Sequence, residues 1–563
     1  MPVFFIQDAM KFPDLVHAAK PEHHFAMPQA STAHDTFWDF ISLMPESTHM
    51  MMWAMSDRAI PRSYRMMQGF GVHTFRMVNA AGDSVFVKFH WNPLQGTHSL
   101  VWDEAVKISG ADPDFHRRDL WEAIESGNYP QWELGVQVFT EEQADAFSFD
   151  VLDATKLVPE ELVPLRPVGR MVLNRNPDYF FAETEQVAFC TAHIVPGIDF
   201  SNDPLLAGRI HSYVDTQISR LGGANFHEIP INAPLVEVHN NQRDGMHRQT
   251  INRGRVNYEP NSLAGGCPFQ AGMAEGFTSV PKLGNNNARD DSAPDKVRGK
   301  PEKFAEHFAQ ARLFFRSQSG VERQHIINAF RFELSRVQIP AIRRRMVSNL
   351  VNVDDELAAG VAEGLGMELP APSPVPELDL PPPELEISPA LSLFARPGEP
   401  GISTRRIAIL IADGVDRASV VALHAGLLAE GAVPRLVGIK LGTVTDAGGG
   451  ALEAEVTLEN TPSVLYDAVV VPGGKAAVEQ LGAVGLAAEF LQLAFRHCKP
   501  ILAMAEGAAL LQNAGVPLML ASGEPDPGIV HLQESDPAAA LPQLIEAIQA
   551  HRHFARESDP PPV

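Results

Sequence analysis

The proline-rich run from Pro370 to Pro389 limits how this chain can fold more than any other stretch. Pro381, Pro382 and Pro383 stand together within it, with acidic residues on either side. Such a run favours an extended polyproline II path and cannot close a packed core. It therefore reads as a linker, drawn at 366–403, between two separately built bodies. At 563 residues there is enough chain for a core on each side.

Beyond the linker, from 404 to 552, short apolar runs at 407–412, 436–439, 468–471 and 501–505 are each followed by a helical pattern or a glycine-rich turn. That alternation is the pattern of an α/β doubly wound parallel sheet. Val471-Pro472-Gly473-Gly474 could seat an anion at a helix N-terminus, but it lacks the GxGxxG spacing, so a nucleotide is not expected.

Before the linker, residues 1–185 read mainly as β structure with helical insertions such as DFHRRDLWEAIESG. His73 to Trp91 alternates on both sides of Asn79-Ala80-Ala81-Gly82-Asp83, a hairpin signal, and 3–6 is an apolar run of the buried-strand kind. Residues 186–300 are rich in Asn, Gly, Pro and Arg and resist a packed core. From 301 to 365 helical periodicity returns, with Ile326, Phe330, Phe332, Leu334, Val337 and Ile339 along one face and Arg343-Arg344-Arg345 as a solvated basic turn.

Within 202–223 (NDPLLAGRIHSYVDTQISRLGG) a helix over 204–221 is bracketed on both sides. Asn202 and Asp203 offer N-cap side chains, Pro204 suits the first turn, and Gly222 and Gly223 end the run. Leu206, Ile210, Val214, Ile218 and Leu221 form its apolar stripe; Arg209, Tyr213 and Gln217 stack beside it. Periodicity alone makes Tyr213 an amphipathic core residue. The alternative is that Arg209 holds Tyr213 as a phenolate: ionising a free tyrosine at pH 7 costs about 4 kcal/mol, which a ferric ion and an adjacent guanidinium can supply.

The stretch from Arg209 to Gln217 (RIHSYVDTQ) resembles the proximal ligand motif of the haem catalases, with Arg, Tyr, Asp, Thr and Gln in register and His211 where the family usually has Phe. The resemblance continues through PVFFIQDAMKFPD, WDFISLMPES, MSDRAIPRSYR, GFGVHTFRMVNAAG, KFHWNPLQG, LNRNPDYFFAE and NFHEIPIN, to about residue 365. The long extension beyond suggests the large-subunit class. It implies an α+β core, an antiparallel barrel of about eight strands around haem, incomplete here, with 186–300 as a segment wrapping between subunits. It also implies disproportionation of hydrogen peroxide and a homotetramer when full length.

Residue by residue, the resemblance implies that Tyr213 is the iron ligand and that Arg209, His73 and Asp203 extend a proximal relay behind it. Phe12 then packs on the haem face and Phe4 lies near the distal pocket. Haem b and haem d both stay open, and NADPH is not expected. The family's distal His, Ser and Asn lie upstream of the segment matched by Pro2 to Asp8, so catalytic residues of that side are expected to be absent from this sequence. A truncated gene model is the expected reason. His17, His23 and His24 fall beyond the distal pocket in this match.

Peroxide disproportionation needs a base that moves a proton between the two peroxide oxygens, typically a 10²- to 10⁴-fold contribution. The proximal half alone is thus expected to be a weak catalase, or a haem-binding protein or weak peroxidase. Cys190, twenty-three residues before Tyr213, stands where some large-subunit catalases carry a His bonded to the ligand tyrosine, so that crosslink is not expected.

The C-terminal layout resembles the flavodoxin-like, DJ-1 and PfpI-like fold, in which a Cys on the strand-to-helix elbow is the nucleophile. Here the elbow reads Ala503-Met504-Ala505-Glu506-Gly507-Ala508, so a hydrolase or chaperone activity is the weaker alternative and a structural role is expected. The formal charge of −24, from 69 acidic and 45 basic residues, argues against nucleic-acid or anionic-membrane partners. Cys190, Cys267 and Cys498 have no metal-ligand spacing, and no apolar run reaches about 18 residues. A cytoplasmic location is the default expectation.

Overall fold

The computed structural model describes residues 1–27, 32–236, 242–252, 255–258 and 299–560. Of the proposed wrapping segment 186–300, residues 259–298, and Cys267 with them, lie outside the described residues.

In the first body the hairpin read from His73 to Trp91 is formed by β2 (Phe75–Val78) and β3 (Ser84–Pro93), paired antiparallel with Phe75 opposite Val87. The turn closes because the Asn79 side chain accepts from the amides of Ala81 and Asp83. Around it lie β1 (Gly69–Phe70), β4 (Gln131–Phe139), β5 (Arg166–Val172) and β6 (Ile198–Phe200). The described residues give a six-stranded antiparallel sheet in the order β5-β4-β3-β2-β6, with β1 also on β3.

Residues 3–6 are not a strand. Val3 and Ile6 are buried, but they are three apart, and the backbone there is tied irregularly: Phe4 N–H donates to Ala154 O, and Ser47 Oγ donates to Phe5 O. A helical layer, Asp35–Leu43 and Thr48–Ala54 against Ala309–Arg316, Gly320–Ser335, Pro340–Val351 and Asp355–Gly364, buries Trp38, Trp53, Phe314, Phe330 and Met346. Ile326, Phe330, Leu334 and Val337 face this core as read, whereas Ile339 is exposed and Phe332 packs edge-on to Trp102. Arg343, Arg344 and Arg345 lie inside the helix Pro340–Val351 rather than on a turn, and Arg345 pairs with Asp39.

The linker has no helix or strand over 367–388, and after the 3₁₀ turn Pro389–Leu391 it docks on this layer through Ser392 Oγ and Leu393 N, both donating to Glu322. The second body is a six-stranded parallel sheet. Its strands are β7 (Arg406–Ile411), β8 (Val433–Gly438), β11 (Val456–Thr457), β12 (Ala468–Val471), β13 (Ile501–Met504) and β14 (Ile529–Leu532), in the order β11-β8-β7-β12-β13-β14. A small hairpin, β9 (Gly442–Thr445) with β10 (Ala451–Ala454), interrupts the alternation and was not legible in the sequence. β12 and β13 are apolar throughout and wholly buried, and so is β7 after Arg406, as a sheet covered on both faces requires.

Buried ion pairs join the bodies. Arg62 holds Asp467 through Nε at 2.5 Å and Nη2 at 2.8 Å, and Glu104 accepts from Lys499 at 2.7 Å and from Arg552 at 3.0 Å.

Candidate functional site

The helix Pro204–Leu221 starts where its caps place it. One carboxylate oxygen of Asp203 accepts from the amides of Leu205 and Leu206, and Gly222 ends the helix in the left-handed conformation at φ +79°. The other oxygen of Asp203 takes His73 Nδ1 at 2.6 Å, both side chains being about 1% exposed. Helix cap and histidine anchor are thus one buried carboxylate.

His73 reaches that carboxylate through a tight turn that sequence reasoning missed. Its N–H donates to Gly71 O at 2.6 Å, and Val72 between them sits at φ +52°. A β-branched residue in that region stores strain, which surrounding contacts must hold. Lys88 Nζ does so by donating to Val72 O at 2.8 Å. Burial lowers the Lys88 ammonium to about 8 against the pull of Asp203 and Asp153.

A turn and a half further along the helix, Arg209 Nη2 donates to Tyr213 Oη at 2.5 Å, with the guanidinium carbon 4.9 Å from the ring centre. Both side chains are half-buried. The structure therefore brings together Arg209 with Tyr213, and His73 with Asp203, as two pairs. Among the described residues no hydrogen bond joins Arg209 to His73, whose Nε2 is buried without a partner.

The apolar stripe departs from expectation. Leu206 is fully buried, but Ile210, Val214 and Leu221 are half-buried and Ile218 is 42% exposed. The physical reason is that described elements cover mainly the helix start. Gly208 lets the segment Ala9–Lys11 pack directly on it, since a Cβ there would lie 2.0 Å from that of Ala9. The helix-interior glycine was the available sequence signal for this approach. The half-buried Phe4 and Phe12 join Val72 and the buried Ile6 and Leu205 in one apolar cluster at the helix start.

What remains beside Tyr213 is a half-buried apolar face with one phenolic oxygen and one guanidinium, and the phenylalanines of the cluster lie at the start of the same helix. This donor set fits a flat, hydrophobic cofactor with a hard metal at its centre. Nε2 of His73, bound through Nδ1 to the carboxylate that caps this helix, is one more buried polar atom without a partner among the described residues.

Other candidates fall away from this face. His17, His23 and His24 are exposed, as is His211. Cys190 is a half-buried free thiol; its neighbour Phe189 is tied to the helix by Gln217 Nε2, which donates to Phe189 O at 3.0 Å. Cys498 is fully buried, and burial pushes its thiol up to about 12, so it stays un-ionised at neutral pH. At the strand-to-helix elbow Ala505 has φ +47° but presents only a methyl group. Among the described residues no cluster of His, Cys, Asp and Glu is arranged to hold a metal ion, and no single helix is long and apolar enough to cross a membrane.

Comparison with known proteins matches three family descriptions in succession. They are Catalase over residues 1–265, Catalase-related immune-responsive over 301–365, and the C-terminal domain found in long catalases over 403–558. The chain is 53% identical to Catalase HPII of Pseudomonas putida over 565 residues, covering 99% of this chain and 76% of that protein. It is likewise 53% identical to Catalase HPII of Pseudomonas aeruginosa, with the same coverage, and 49% identical to Catalase-2 of Bacillus subtilis, covering 99% of this chain and 78% of that protein. With identity of this level along nearly its whole length, the chain belongs to the catalase family, in the large-subunit class of oxidoreductases that decompose hydrogen peroxide.

Proposed function

We propose that this chain holds haem through Tyr213 and works as a catalase, turning hydrogen peroxide into water and dioxygen. The observation that carries the reading is the Arg209–Tyr213 pair on a half-buried helix face, in a member of this family. The bound iron would supply the redox chemistry. Tyr213 Oη would hold the iron, and Arg209, which donates to that oxygen, fixes its direction. Asp203 anchors the helix start and His73 together, holding that arrangement from behind. Phe4 and Phe12 supply apolar contact for the ring system.

A second reading, a haem-binding protein or weak peroxidase that works with the proximal side, rests on the same Arg209–Tyr213 pair. Oxygen evolution from peroxide by the purified chain decides between them; rapid release supports catalase unaided, and haem uptake with trace release supports the second. In either case Tyr213→Phe should abolish the charge-transfer absorption of ferric tyrosinate. Arg209→Ala should lower haem retention or turnover by about 10- to 100-fold. A Tyr213→Phe protein with an unchanged spectrum would end the ligand assignment.

Three further elements belong to this proposal. The second body is flavodoxin-like and structural, supported by its parallel strand order and by the inert Ala505 elbow. The assembly is a cytoplasmic homotetramer, supported by the exposed aromatic side chains of Tyr179, Phe180, Phe181 and Phe189, which light scattering would test. Neither NADPH, nucleic acid nor membrane takes part.

A further inference from the structure

A cleft of about 760 Å³ opens where the two bodies meet. Arg405, the residue before β7, lines it and is only 5% exposed. The other cations of this junction have carboxylate partners: Arg62 binds Asp467, Arg65 binds Asp119, and Lys499 and Arg552 share Glu104. Arg405 has none among the described residues. Its Nε is buried with no acceptor, and Nη1 meets only the thioether of Met66 at 3.2 Å. Asp467, the nearby carboxylate, is already committed to Arg62 and to the amide of Arg406. Burial, and after it Arg62, Arg65 and Arg552, lower the Arg405 guanidinium to about 10 despite Asp467. Five buried cations thus face three buried carboxylates, and the excess lies at the cleft. An uncompensated buried cation is costly, and an anion would relieve it.

We propose that this cleft binds a small organic carboxylate, its charged end paired with the guanidinium of Arg405. The planar fork of arginine matches a carboxylate bidentately. The volume is that of small-molecule sites rather than of a bare inorganic ion, and Ile545 and Pro542 offer apolar surface for an organic body. Glu399 and Glu546, both exposed, stand among the lining residues and repel ligands of higher negative charge. The wall is preformed. Gly96 and Gly398 bring two backbones so close that a Cβ on Gly96 would lie 2.3 Å from Pro397 O, while Thr97 N donates to Arg396 O and Glu399 N to Leu94 O. Because both bodies contribute, a bound anion favours their docked arrangement.

The test uses the full chain as purified, titrated with sodium benzoate. Sodium chloride at matched ionic strength is the control, and inorganic phosphate is a second arm. Benzoate should raise the thermal midpoint while the visible absorption spectrum stays unchanged, which separates the cleft from any anion at Tyr213; phosphate should not. Arg405→Met should weaken benzoate binding by at least about tenfold. Glu546→Gln, at an exposed helix position that folding does not need, should tighten it. Loss of the benzoate response in the wild-type chain, equal protection by phosphate, or undiminished binding by Arg405→Met would overturn the proposal. Should Arg405→Met not fold, Glu546→Gln carries the test, and unchanged affinity there counts against the site.

Discussion

Asp203 shows how much a single side chain can be asked to do. It caps the helix Pro204–Leu221 and binds His73, and at about 1% exposure neither task can pass to water. Asp203→Asn keeps the cap, because Asn is as good an N-cap as Asp; Asp203→Ala loses cap and partner together. Denaturant unfolding should find Asp203→Ala less stable by about 2–4 kcal/mol, the sum of a lost cap and an unsatisfied buried histidine, with Asn in between. Equal stability of all three would mean the pairing contributes nothing. Gly208 can be checked in the same way. Gly208→Val drives a side chain into Ala9 and should cost about 1–3 kcal/mol, read as a lower unfolding midpoint. At this scale the cap and the Arg209–Tyr213 spacing were legible, since both are set by neighbours a turn or less away. The strained Val72 was not, because its conformation answers to Lys88, which comes from another strand.

Among the elements, the helix Gly320–Ser335 carries a tie that no sequence pattern announces. His325 lies between Asp57, at 2.8 Å from Nδ1, and Glu557 of the short C-terminal helix Ala555–Ser558, at 2.5 Å from Nε2. Burial acts to lower the imidazole, but hydrogen bonds and charge from both carboxylates outweigh it and lift His325 to about 10. Burial likewise raises the Asp57 carboxyl above its ordinary range, against the opposing hydrogen bond and charge of His325. A histidine whose folded pKa is raised contributes stability that is fully present below its ordinary value near 6.5 and is lost as pH rises through about 10. Thermal midpoints measured between pH 6 and about 10.5 should therefore fall at the alkaline end for the wild-type chain. His325→Gln should start a few degrees lower and lose less over the same range. Parallel curves would exclude the tie. The same helical layer shows why local reading stops short: Arg343 to Arg345 look like a solvated basic turn, yet Pro340 starts a helix through them and Asp39 draws Arg345 inward.

For the whole molecule, the contact between bodies is decided by charge inside a dry junction. Glu104 is fully buried, and although burial acts to raise it, Arg552 and Lys499 hold its carboxyl below the ordinary range. Its contribution is present above pH about 4.5 and is lost as pH falls, the sign for a depressed carboxylate. Glu104→Gln strands two buried cations, a change that typically costs about 3–5 kcal/mol. It should loosen the second body first, so limited proteolysis should cut within 366–403 sooner than in the wild-type chain. A cleavage rate equal to that of the wild type would place the docking energy elsewhere.

What the amino-acid order determined by itself is what short-range chemistry can dictate. The helix 204–221 follows from its caps and period, the hairpin at Asn79–Asp83 from its turn residues, and the parallel sheet of the second body from unbroken apolar runs. Only tertiary structure decided that residues 3–6 are not a strand, that most of the apolar stripe beyond Leu206 stays partly open beside Tyr213, and that Arg405 is buried without a carboxylate partner among the described residues. Caps, turns and periodicity act over a few residues, whereas burial and ion pairing depend on groups such as Arg62 and Asp467 that lie about 400 positions apart in the chain and meet only once both bodies have folded.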